Sequence, residues 1–360
     1  GKTLRVEFER TGRGMRLIET DDYLISMTVQ DHELVFGRSY KVRYNVVNKS
    51  GKPLNVTIKG CNDKNIVFNM ECSVKVENHE VIEGNFFVGE VKTEQNPNQT
   101  YPVVASEILI NGKKAFFKVG IFPVYPAKFN LHIPGNECYI GVKSECYLEI
   151  ENKFNENAVF ELNLPERDGI KFEQSKYKIE LEANGRNTLE IPYILDDFIY
   201  YSVVISATAT LKNGETIPFE KEINAAFRGR SSIMWGENEN YCEIINGPFN
   251  AVLSKQSNIL SIHRLYGDSF SIYWSYPRLG KPFSIEFSKK KPDDSQCNRE
   301  DDKVVLKAIY SSQDFKGLKL ASICKLSAGG IAEHYYELKN IGNTQTSDDI
   351  WLSDTFMLFL

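Results

Sequence analysis

Apolar and polar residues alternate with period two along most of this chain. Tyr40-Lys-Val-Arg-Tyr-Asn-Val, Lys176-Tyr-Lys-Ile-Glu-Leu-Glu, Thr188-Leu-Glu-Ile-Pro-Tyr and Val203-Val-Ile-Ser-Ala-Thr-Ala-Thr-Leu each place one set of side chains on one face, which predicts half-buried strands. Turn residues separate them: Ser50-Gly51, Asn111-Gly112, Pro165 to Gly169, Asn184-Gly185, Asn213-Gly214 and Gly329-Gly330. Asn-Gly suits a two-residue hairpin because both residues accept positive φ. No segment sustains a helical period. Regularly spaced short strands of this kind close into antiparallel sandwiches, so the expected fold class is all-β.

The pattern also repeats. Tyr101-Pro-Val-Val-Ala-Ser leads to Asn111-Gly112, and about 100 positions later Tyr201-Ser-Val-Val-Ile-Ser leads to Asn213-Gly214. Tyr44-Asn-Val-Val-Asn48 is answered at a similar offset by Leu148-Glu-Ile-Glu-Asn152. The two prolines of Ile121-Phe-Pro-Val-Tyr-Pro-Ala-Lys mark a linker, since proline is poorly tolerated inside a ladder. The Arg228-Gly-Arg-Ser-Ser stretch marks another. The expected division is therefore 1–125 with an N-terminal extension, 128–228, and an aromatic-rich 229–360. A further echo, Tyr335-Tyr-Glu-Leu-Lys-Asn340, suggests that Tyr44, Val46, Leu148, Ile150, Tyr336 and Leu338 point into cores while Glu149 and Glu151 are exposed. Asn48, Asn152 and Asn340 then mark strand ends, where asparagine accepts αL geometry and bonds local backbone.

The alternating strand, Asn-x-(Gly/Asn), Leu162-Asn-Leu-Pro165, Gly169-Ile-Lys-Phe and Tyr177-Lys-Ile-Glu-Leu-Glu-Ala-Asn-Gly185, over roughly residues 30 to 228, resembles the Ig-like spacer or adhesion modules, of the CARDB and NEW3 kind, of secreted bacterial hydrolases. The resemblance implies tandem Ig-like β-sandwich modules followed by a further β-sandwich. Around Gly247-Pro-Phe-Asn-Ala-Val-Leu-Ser, the last region is similar to the start of the large sandwiches of carbohydrate-active enzymes, without their paired carboxylate signature.

Composition narrows the partners. With 43 basic and 48 acidic residues spread throughout, the net charge of −5 argues against a nucleic-acid groove or an anionic membrane surface. No apolar run approaches the roughly 20 residues of a membrane span. The Gly1 start and the end on Phe356-Met-Leu-Phe-Leu360 read as edges of a segment of something longer, with any targeting signal outside it and an extracellular or cell-surface location favoured. The seven cysteines include no Cys-x-x-Cys, and the five histidines are isolated, so no metal and no cofactor is expected. Cys61 with Cys72, or Cys138 with Cys146, are candidate bridges between neighbouring strands in an oxidising compartment, although cysteine more often serves as a buried small apolar side chain.

Catalytic motifs are absent: there is no Gly-x-Ser-x-Gly, no phosphate-cradling glycine loop and no His-Glu-x-x-His. Asp293, Asp294, Glu300, Asp301 and Asp302 lack calcium-loop spacing and, beside Lys289 to Lys291, read as a solvated charged loop. His334 reads as a hydrogen-bonded core or rim histidine. The uneven feature is aromatic. Trp235, Trp274 and Trp351 all fall in the last region, and the tract from Phe270 to Arg278 sets Trp274 on one face and Tyr273 on the other. Trp274 reads as core filler, whereas Tyr273, Tyr276 and Arg278 are the candidate platform for a sugar or peptide. Two functions fit: a non-catalytic array that spaces or attaches domains of the same parent chain or another macromolecule, and an accessory carbohydrate- or substrate-binding portion of a secreted hydrolase.

Overall fold

The computed structural model describes residues 4–8, 14–92, 94–95, 100–135, 137–280, 283–288, 290–327, 329–342 and 350–359. Gly1 to Thr3, Lys289 and Leu360 lie outside them.

Among the described residues the fold is all-β, its strand ladders antiparallel apart from one short parallel pair, with one 3-10 turn at Glu286–Ser288. In the first unit, a sheet ordered Leu4–Phe8, Met15–Thr20, Tyr23–Val29, Arg38–Asn48, His79–Val88, Ile66–Val67 faces one ordered Lys113–Gly120, Val103–Ile110, Leu54–Cys61, Glu71–Val76. In the second, Ala127–His132, Ser144–Asn152, Arg186–Leu195, Ile170–Phe172 face Thr216–Phe227, Ile199–Leu211, Ala158–Asn163, Lys176–Leu181. Once the first two strands of the chain are set aside, the two units have the same strand order. Val103 and Val203 therefore sit on equivalent strands, each leading into its Asn-Gly hairpin. At the first hairpin Asn111 and Gly112 have φ of 46° and 80°, the geometry that favours this pair of residues.

The third unit pairs a six-stranded sheet, Ile233–Glu237, Tyr241–Asn246, Phe249–Ser254, Leu260–Arg264, Ser271–Trp274, Phe356–Phe359, with a four-stranded one, Asp294–Glu300, Lys303–Ser311, Leu318–Ser327, Ala332–Asn340. Its core is built from Cys242, Ile244, Ala251 and Leu253 on one side and Val304, Leu306, Tyr310 and Cys324 on the other.

Alternation reads the cores of the first two units correctly. Tyr44, Val46, Leu148 and Ile150 are fully buried. The third echo differs: Tyr336 is half-buried and Leu338 is 41% exposed. Ala332–Asn340 is an edge strand, and sheet cover ends one strand earlier, at the buried Leu320 that pairs with Leu338. Glu149 and Glu151 are half-buried rather than exposed, because Arg186 lies over both, with N–O distances of 3.4 and 2.9 Å.

The asparagines bond backbone as expected, without αL geometry. Asn152 donates from Nδ2 to the carbonyls of Glu156 (2.9 Å) and Glu182 (2.8 Å), and its Oδ1 accepts from the Phe154 amide (2.9 Å). Asn48 makes the matching bonds to Lys52 (2.7 Å), Val76 (2.9 Å) and the Ser50 amide (3.0 Å). In the third unit this role falls to Asn246, which donates to Asp302 and Leu326 across the sandwich (both 3.0 Å). Asn340 accepts from the Gly342 amide at 2.9 Å.

Two segments expected as loops are strands. Phe122–Val124, at the first proline pair, runs parallel to Glu33–Val35, a one-strand edge where Pro123 loses no second ladder. Asp294–Glu300 is an edge strand along Lys303–Ser311, so its acidic residues are spread along a ladder rather than gathered in a loop. Polar composition suits an edge.

The units meet through apolar and charged contacts. One continuous core runs from Ile18 to Phe227, through both of the first two units. Arg38 reaches Glu156 and Glu215 at 3.1 Å each and lies 5.6 Å from the Phe154 ring centre. Lys221 pairs with Glu94 and sits 4.2 Å over the Tyr125 ring. At the next seam, a Cβ on Gly236 would stand 1.8 Å from the Tyr200 ring, so the glycine is what lets this ring pack against the third unit's sheet. Beside it, Glu243 accepts from Asn250 at 2.8 Å, and burial pushes its pKa up.

Candidate functional site

The strand Ser271–Trp274 lies between Leu260–Arg264 and the edge strand Phe356–Phe359. Alternation sends its two aromatic residues to opposite faces. Trp274, opposite Leu260 and Phe356, packs against the core, with its ring 5.0 Å from His334 and 6.3 Å from Phe356. His334 Nε2 lies 3.1 Å from the Ser322 hydroxyl, and its Nδ1 is 3.9 Å from Asp354. Tyr336 donates to Asp354 at 3.1 Å. Burial lowers the pKa of His334 and raises that of Tyr336.

Ser322, His334 and Asp354 are the residue types of a hydrolytic triad. Their geometry does not support that chemistry. The 3.9 Å separation exceeds a hydrogen bond, and Ser322 is only 6% exposed in the middle of a strand. The cluster instead satisfies polar groups beneath Trp274.

On the outer face, Tyr273 is half-buried between His263 (5.3 Å, 77°) and Phe359 (5.5 Å, 90°), both edge-on. His263 is held by the hydroxyls of Ser271 (2.8 Å) and Ser261 (2.9 Å), and burial lowers its pKa. Tyr276 and Arg278 come together beyond the strand end, with the guanidinium 5.1 Å from the ring centre. The Arg278 Nε is buried and has no hydrogen-bond partner. The sequence thus groups three residues that the structure separates: Tyr276 and Arg278 form one pair, and Tyr273 belongs with His263 and Phe359.

Sequence reasoning missed the apolar rim that continues this surface. Phe356, Met357, Leu358 and Phe359 are all at least half exposed, as is Trp351. The signal was present in the unbroken Phe-Met-Leu-Phe run, which has no polar face. Another concavity, of about 250 Å³, lies at the first seam between Glu33, Pro123, Tyr125, Lys128 and Lys153. No group of metal-ligating side chains occurs among the described residues, and none of their helices is long and apolar enough to cross a membrane.

No protein-family model matches the chain, and no curated protein matches its sequence. Solved structures similar to it include the alpha-2-macroglobulin of Salmonella reacted with methylamine (12% identity, TM-score 0.28, 65% of this chain and 19% of that one). The native E. coli alpha-2-macroglobulin is another (15%, 0.27, 64% and 19%), as is red sea bream transglutaminase (10%, 0.26, 56% and 31%). The chain spans about a fifth of the length of the two macroglobulins, and superposition at this level carries no argument about its role.

Proposed function

We propose that the chain is a non-catalytic β-sandwich array that fixes the relative orientation of the parts it joins, divided at 1–125, 128–228 and 229–360. The observation that supports this reading is the unbroken core across the first two units, locked at its margin by Arg38 between Glu156 and Glu215. A flexible tether would have a polar, poorly packed seam. Differential scanning calorimetry tests it: residues up to about 228 are expected to melt in one transition and the third unit in another. Separate melting of the first two units would overturn the rigid-spacer reading.

A second reading is an accessory glycan- or peptide-binding portion, favoured by the stacked Tyr276–Arg278 pair with its unpartnered Nε. Isothermal titration against soluble oligosaccharides tests this, with Tyr276→Ala abolishing binding and Tyr273→Ala sparing it. No binding by the parent chain would dismiss it.

A further inference from the structure

Cys242 and Cys297 belong to strands of opposite sheets in the third unit, 241–246 and 294–300. Cys242 lies fully buried in the core, and Cys297 packs against that core from an edge strand with part of its surface open. Cα atoms of the two strands approach within 8 Å, and both cysteine side chains pack against the same core. A disulfide needs Cα atoms about 4.4 to 6.8 Å apart, a separation within reach of strands this close.

The surroundings pin this pair in place. Glu237 stands opposite Cys242 in the ladder, with Oε2 3.5 Å from the Cys242 sulfur. The same oxygen accepts from Lys255 (3.0 Å) and from Ser295 (2.9 Å), two residues before Cys297 and on its face of the strand. One carboxylate thereby ties the edge strand to the facing sheet at the level of the sulfurs.

We propose that Cys242 and Cys297 form a redox-active pair that closes into an inter-sheet disulfide by exchange with a small-molecule disulfide. Cys297, the thiol with open surface, loses its proton and attacks one sulfur of the reagent, expelling one thiolate. Cys242 then loses its proton and attacks the Cys297 sulfur of the mixed disulfide, expelling the second. The two protons end on the two leaving thiolates, and the reagent's disulfide is reduced as the protein's forms. The Cys297 thiol, followed by Ser295 and Lys255, lowers the pKa of Cys242 against burial; once Cys297 is in the mixed disulfide its contribution ends, and Ser295 and Lys255 remain to assist the second, buried step. The neighbouring Cys242 thiol, with burial, raises the pKa of Cys297, so the first step accelerates as pH rises.

The remaining cysteines lack this arrangement. Cys72 stands opposite Ile58 in its ladder, three residues along the strand from Cys61, and Cys138 accepts from Tyr193 at 3.6 Å. Cys146 points to the Ile191 carbonyl at 3.6 Å, and Cys324 is buried in the core.

The test uses the reduced full chain incubated with oxidised glutathione, acid-quenched, alkylated and mapped by mass spectrometry without reduction. A Cys242–Cys297 linked peptide is expected, with the third unit's melting midpoint raised by roughly 5 to 15 °C. Cys242→Ser should trap glutathione on Cys297, the signature of an interrupted second step. Cys297 ending as a stable glutathione adduct in the unsubstituted chain, or both thiols remaining alkylatable, would overturn the proposal. The wild-type map alone decides the matter if a variant does not fold.

Discussion

Single side chains here do one of two jobs, filling a core or capping a strand end, and the two differ in what their removal costs. Ile150 is fully buried, so Ile150→Ala should destabilise its unit by about 2 to 5 kcal/mol in denaturant titration. Glu149→Ala, which removes only a partly exposed ion pair with Arg186, should cost under about 1 kcal/mol. Asn152 is also fully buried, and it satisfies the carbonyls of Glu156 and Glu182. Asn152→Ala leaves these part-buried carbonyls without that donor and should cost about 1 to 3 kcal/mol in all, whereas Asn340→Ala on the exposed edge should fall within about 0.5 kcal/mol of wild type by the same measurement. The sequence makes Asn340 look like the third member of the set because the two residues that matter before it are apolar. Asn246 satisfies the same rule, with Ile244 and Cys242 before it, and it also has a facing sheet to bond.

Strands were the most legible elements, because a period of two is a local property. Tyr273 and Trp274 could be assigned to opposite faces from the sequence. Their neighbours could not: His263 and Phe359 arrive from strands far apart in the chain, and pairing of that range leaves no local trace. The same limit hid the Cys242–Cys297 approach, which spans two sheets. Pro123 misled in another way, since an edge strand tolerates what a central one does not. Ladders also meet between units, where the strand Ile233–Glu237 admits the Tyr200 ring at Gly236. Gly236→Ala forces that ring away, and should lower the third unit's stability by about 1 to 3 kcal/mol in chemical denaturation while Gly214→Ala, in an open hairpin, changes only local turn strain.

For the molecule as a whole, the seam between the second and third units should be sensitive to pH. The folded pKa of Glu243 lies above its unfolded value of about 4.3, so the folded state holds the proton more tightly. Stability from this group is therefore present below about pH 4.3 and is lost as pH rises through the raised folded value. Glu243→Gln should melt higher than wild type at neutral pH and match it at pH 4; an unchanged difference between those two pH values would mean the carboxylate is already compensated. The Phe356–Phe359 strand has a consequence of a different kind, for the order in which the chain is made. During synthesis the first two units have all their strands once residue 227 has left the ribosome, and each can close behind the growing end. The third sheet instead keeps the side of Ser271–Trp274 unpaired until some 80 further residues have emerged, so Trp274 and Tyr273 wait exposed through the slowest part of their own assembly, where a chaperone would find them.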